Sequence, residues 1–136
     1  MSGPFTLEVF PEQVAVVRLG PGAEIPSWAE SSSLFSITAT ATETSLVCAK
    51  RSVPTKAKQA GPFTAFQVRG PLDHALVGVL ATLLAPLAEA GIPVFTISTF
   101  DTDWILVARE SAEAATAAWT GAGHTVEVAT PVEGSR

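Results

Sequence analysis

The chain has 136 residues, 47% of them hydrophobic and 15% charged, with a net charge of −5. That length suits one compact domain or two very small units sharing a core, and a charged fraction below the usual ~25% leaves apolar surface for which a partner subunit is the simplest cover. Eight scattered Lys and Arg give no basic stripe for phosphates, and one cysteine, Cys48, with two distant histidines, His74 and His124, gives neither an internal disulfide nor a zinc cluster.

From the N-terminus, "MSGPFTLEVFPEQ" lacks the basic and apolar regions of a signal peptide. "TLEVF" and "VAVVRL" are β-branched runs parted by Pro11, Glu12 and Gln13, so they read as two strands or one broken strand. The Gly- and Pro-rich "GPGAEIPSWAE" leaves room for one helical turn near residues 26–30. Alternation over residues 34–39 and 44–48 predicts a hairpin turning near Thr42 and Glu43, and the polar, aperiodic segment 50–62 reads as an exposed linker.

"FTAFQVRG" is a strand, and residues 71–91 carry a helical pattern with Pro71 in the first turn and Gly91 just past the end. This apolar run reaches membrane-spanning length only by including Asp73, His74 and Glu89, so it reads as a buried helix of a protein with no membrane partner. Leu72, Leu76, Val79, Leu80, Leu83 and Leu87 form its core stripe, while Val77, Leu84 and Ala88 make the opposite flank apolar, which predicts a homodimer contact there. "IPVFTIS" and "WILVA" are strands around a polar turn, "SAEAATAAWTGAG" is a second helix with Ser111 as N-cap and Gly121 after its end, and "HTVEVA" is a last strand.

Residues 63–129 thus spell strand, helix, strand, strand, helix, strand, the split βαβ order of ferredoxin-like units. The first half spells strand, short helix, strand, strand, a cut-down copy whose missing strand the second half or another chain must supply. The expected fold is α+β: tandem βαββαβ repeats, the first truncated, in antiparallel sheets with helices on one face. The first repeat with its linker covers residues 1–60 and the complete one 61–136.

The residues "GPLDHALVGVLATLLAPLAEAGIPVFTISTFDTDWILV", with "EIPSWA" and "ETSLVCAKRSVP" in the first half, resemble an ACT-type domain of the CASTOR-like group of amino-acid-binding regulators. The resemblance runs from about Glu8 to Val128, and it implies a tandem ACT protein that holds a small ligand, usually an amino acid, between repeats or subunits as a regulatory signal. It also places Asp103 where the arginine sensors of that group carry the carboxylate facing the ligand's cationic side chain.

An amino acid needs acceptors for its ammonium and N–H donors for its carboxylate. The "STFDTD" turn offers acceptors and hydroxyls at Ser98, Thr99, Phe100 and Asp103. The start of the long helix, Gly70, Pro71, Leu72 and Asp73, is the expected donor end, because unpaired N–H groups and the helix dipole favour an anion there. Asp73, however, has a carboxylate able to cap those same groups.

Plainer roles compete. Asp101 reads mainly as a solvated turn residue, His74 as a surface histidine, Cys48 as a small buried hydrophobe, and Trp28, Trp104 and Trp119 as packing anchors. No phosphate loop, catalytic pair, cofactor motif or metal-ligand set is present in the sequence, so nothing in it argues for an enzyme. The reading is a cytoplasmic small-molecule sensor that signals to a separate effector protein. The alternative is a ligand-free structural oligomerisation module.

Overall fold

The computed structural model describes residues 4–73 and 75–129. Its strands are β1 (Thr6–Val9), β2 (Val14–Leu19), β3 (Ser36–Ala39), β4 (Thr44–Ala49), β5 (Gln59–Val68), β6 (Phe95–Ser98), β7 (Asp103–Ala108) and β8 (Thr125–Val128). Two helices, α1 (Val79–Glu89) and α2 (Ala112–Gly121), complete the framework, with 3-10 turns at Ser27–Ala29, Lys50–Ser52 and Arg109–Ser111. The fold is α+β, a ferredoxin-like arrangement built on one eight-stranded sheet.

The long strand β5 belongs to both halves. Gln59 to Phe63 pair with β2, and Phe66 to Val68 pair with β1 along the same edge, so β1 and β2 are one strand broken at residues 10–13. Pro11 falls at this break, consistent with the confinement of proline to strand ends, edges and bulges. On its other edge β5 pairs with β7, and β6 pairs with β7.

In the first half the order is β3-β4-β2-β5, so β5 supplies the strand the truncated unit lacks. In the second half β1 lies between β5 and β8 and pairs with β8 in parallel, from Thr6↔Thr125 to Val9↔Val128. This parallel pair departs from the all-antiparallel expectation. Arg69 fastens it, bonding Glu8 on β1 and Glu127 on β8, and these two bonds hold the guanidinium more firmly protonated than usual.

Both helices cover one face of the second half. Val79, Leu83 and Leu87 of α1 and Ala115 and Trp119 of α2 pack on Leu7, Phe66, Val68, Ile105 and Val107. Trp119 is fully buried, its ring meets Phe66 edge-on at 4.9 Å, and its indole N–H donates to the Leu83 carbonyl at 2.8 Å, so it pins α2 to α1. The opposite face of the same strands carries Ala65 and Leu106, which join Val14, Val47, Leu34 and Phe63 from the other half in a shared core. A third cluster, including Ala15, Val17, Leu46 and Cys48, closes the outer face of the first half beneath the short turns.

Five local expectations need correction. The helix expected over residues 71–91 begins at Val79, with Gly78 as its N-cap at φ 83°. Residues 70–73 instead enter a loop, where Asp73 Oδ1 accepts the Ala75 N–H and the Asp73 carbonyl accepts from Leu76; Asp side chains compete for backbone donors in this way and disfavour helix. Of the flank expected to face a partner, Val77 lies outside the helix and Leu84 packs on the same core as the main stripe.

The segment expected as an exposed linker is partly built in. Val53 is buried, Lys50–Ser52 is a 3-10 turn, Gln59 already belongs to β5, and the Gln59 side chain ties Lys50 to the Pro54 carbonyl. Ser111 makes no side-chain cap on α2, which continues out of the preceding 3-10 turn. The positive φ after α2 falls at Gly123 rather than Gly121.

Candidate functional site

Between the loop that precedes α1 and the turn from β6 to β7 lies a cleft of about 380 Å³. Leu72, Asp73, Leu76, Gly78, Val79 and Leu80 form one wall, and residues 99–103 form the other. All of these belong to the second half of the chain.

The walls are tied at their base. The Leu72 N–H donates to the Asp101 carbonyl at 2.7 Å. Buried Thr102 donates its hydroxyl to the carbonyl of Val68, the last residue of β5. Gly70 sits at this junction: a Cβ there would lie 3.1 Å from the Asp101 carbonyl oxygen and 3.2 Å from Thr102 Cβ. Its missing side chain therefore lets loop meet turn, rather than backbone meet ligand.

The turn is held by its own hydroxyls. Thr99 donates its N–H to the Thr102 carbonyl at 2.8 Å, and the Thr99 hydroxyl also reaches that oxygen. Ser98 Oγ donates to Asp103 Oδ1 at 2.6 Å, which fixes the Asp103 carboxylate beside the cleft it lines. Asp103 is half-buried, while Asp101 and Asp73 are exposed.

The helix N-terminus enters the same cleft at Gly78, Val79 and Leu80. Among the described residues no side chain caps it, and the first intrahelical bond runs from Thr82 N–H to the Gly78 carbonyl. The N–H groups of the first turn therefore stand without intrahelical acceptors, at the positive end of the dipole. Asp73, which looked able to occupy them, spends one oxygen on its own loop.

Of the residues singled out in the sequence, Leu72, Asp73, Thr99, Phe100 and Asp103 line this cleft. Ser98 stands behind Asp103, and Gly70 and Pro71 lie outside the lining, in the supporting loop. His74 lies outside the described residues. The sequence reading missed Leu76, Gly78, Val79 and Leu80, and it gave Asp101 mainly to the turn, although that residue also lines the cleft. Gly78 was the available signal, a glycine inside an apparent helix. Among the described residues no group of His, Cys, Asp and Glu could hold a metal ion, and no helix is long and apolar enough to cross a membrane.

Comparison with known proteins places this geometry. Residues 61–119 match the family model of the ACT domain, and residues 12–56 match a model of an N-terminal domain. No curated protein matches the chain. Among solved structures, a protein from Agrobacterium tumefaciens superimposes with a TM-score of 0.87 at 27% identity, covering 98% of this chain and 100% of that one. A Vibrio cholerae protein gives 0.72 at 18% identity, covering 87% of this chain and 89% of its own. The regulatory subunit of aspartate kinase from Thermus flavus gives 0.58 at 12% identity, with 88% and 97% covered. The last two likenesses speak for the fold alone. Residues 61–119, within the ferredoxin-like second half, are thus similar to the ACT domain.

Proposed function

We propose that this protein is a non-enzymatic regulatory sensor that binds an amino acid in the cleft between residues 72–80 and the 99–103 turn. One observation carries the reading: a single cleft joins an uncapped helix N-terminus to the carboxylates of Asp73, Asp101 and Asp103. A zwitterion has the matching polarity. Its carboxylate would accept from the first-turn N–H groups near Val79 and Leu80, and its ammonium or a cationic side chain would meet Asp103. Leu76 and Phe100 offer apolar surface for the rest of the ligand.

The finer parts of the reading follow from it. The resemblance to the CASTOR-like group supports a division into two repeats, 1–60 and 61–136, and a cytoplasmic protein that reports to a separate effector. We assign the homodimer contact to the exposed apolar residues Leu76, Val77 and Phe100 rather than to the outer flank of α1, because these stand out on the rim of the cleft. A thermal-shift screen against the twenty amino acids tests the reading. A ligand at a hundred times its dissociation constant stabilises by about 2.7 kcal/mol, and a raised unfolding temperature with one or a few amino acids is expected. A flat screen at millimolar concentrations would instead favour a structural oligomerisation module, for which the same exposed rim is the supporting observation.

A further inference from the structure

A second cleft of about 380 Å³ lies where the two halves meet. Its floor is Val16, Ser45 and Val47 of the first half, and its sides are Ser36, Ile37 and Thr38 of β3 and all four residues of β6. Successive residues of a strand point to opposite faces, so a cavity lined by four in a row is bounded by the edge of the strand. That edge is open: in the described residues β6 pairs only with β7, and β3 only with β4.

The ladder tells which groups face the cleft. Thr99 N–H bonds to the Thr102 carbonyl, so the pairs Ile97↔Trp104 and Phe95↔Leu106 exchange hydrogen bonds, and Thr96 and Ser98 turn their N–H and C=O groups outward. Exposed edges are normally blunted by charge, proline or a bulge. The edge strand β8 has Glu127, paired with Arg69, but β3 and β6 carry no charged residue and no proline, and none of the ten lining residues is charged. Two of the exposed large apolar residues, Ile37 and Phe95, stand beside it.

We propose that this cleft takes an extended, uncharged peptide segment of a separate protein, which pairs with the outward backbone groups of Thr96 and Ser98 as an added strand. Only another backbone offers donors and acceptors at the matching repeat, and the uncharged lining would leave a charged side chain without a partner. A second copy of this chain does not fit the same place through β6, because the partner's own β6 edge is walled by its own β3 and β4. The site is independent of the amino-acid cleft, although Ser98 borders both through its bond to Asp103.

The probe is a blocked Thr-Val-Thr-Val-Thr peptide, titrated into the isotope-labelled full chain and followed by amide shifts. Saturable shifts confined to residues 36–38, 95–98 and the floor at Val16, Ser45 and Val47 are expected. The same peptide with alternate amides N-methylated should bind about tenfold more weakly or not at all, as two backbone hydrogen bonds are lost. Thr96→Pro removes an outward N–H without costing a β6–β7 bond and should abolish binding while the chain stays folded. Shifts that map elsewhere, no saturable shift, or equal affinity for the methylated peptide would overturn the proposal. The methylated peptide decides the matter even if Thr96→Pro fails to fold.

Discussion

Replacing Thr102 by valine tests how the candidate amino-acid site is tied to the sheet. Thr102 is 4% exposed, and its hydroxyl donates to the Val68 carbonyl. The bond from Arg69 N–H to the Thr6 carbonyl makes Leu7↔Val68 a pair without mutual hydrogen bonds, so the Val68 carbonyl faces away from β1 and towards Thr102. Thr102→Val keeps the shape and leaves that buried acceptor unpaired, which costs about 1–3 kcal/mol. For a chain of this size that is a fall of roughly 4–12 °C in unfolding temperature. Thr102→Ser keeps the hydroxyl and loses one methyl, at about 0.8 kcal/mol. Urea unfolding of both variants gives the order: valine is expected to be the less stable. If serine proves the more damaging, packing of the methyl and not the hydrogen bond holds the turn, and the account of the loop-to-sheet tie is wrong.

Trp119→Phe should cost about 1–2 kcal/mol through loss of the bond to Leu83 and of part of the ring, and unchanged urea stability would remove Trp119 as the pin between the helices. Gly78→Ala should cost about 1–2 kcal/mol by torsion alone, because φ is 83° and no atom lies within 4 Å of the added Cβ; equal stability would show that the helix can begin elsewhere. Burial pushes the Cys48 thiol above its ordinary value of 9.0. The folded chain thus holds this proton more tightly than the unfolded one, so its contribution is full below that ordinary value and lost as pH rises through the folded value. Cys48→Ala should flatten the alkaline limb of a stability profile, and an unchanged limb would assign that loss to other groups.

Much of the fold was readable because local pattern and tertiary role coincide. Alternating β-branched residues marked β2, β4 and β7, and Pro11 marked the broken first strand. What stayed hidden depends on contacts between distant residues. Nothing in "TLEV" says that it will lie between β5 and β8, since that pairing joins residues more than a hundred positions apart. The double service of β5 is equally invisible, and it is why segment 59–62 looked like linker.

The site was half legible for the same reason. The turn's Ser, Thr and Asp announce both a turn and a set of acceptors, and Asp103 lines the cleft. The helix start was misjudged because Leu72, Leu76 and Leu80 keep helical spacing through a stretch whose backbone is committed to Asp101 and to the local turn at Asp73. The donor groups therefore stand at Gly78 to Leu80, a few residues further along the chain, but still opposite the same turn.

Calorimetry of the wild type, Asp103→Asn and Asp101→Asn, with the amino acid that gives the largest thermal shift, tests the central claim most directly. Asp103 is half-buried and fixed by Ser98, so removing its charge while keeping its shape should weaken binding by about 2–5 kcal/mol. Asp101 is exposed, and its loss should cost roughly 0–1 kcal/mol. A marked loss for Asp103→Asn beside a near-wild-type Asp101→Asn is the predicted result. Equal dissociation constants for wild type and Asp103→Asn would contradict the account, and would leave the Asp103 carboxylate as a partner of Ser98 alone.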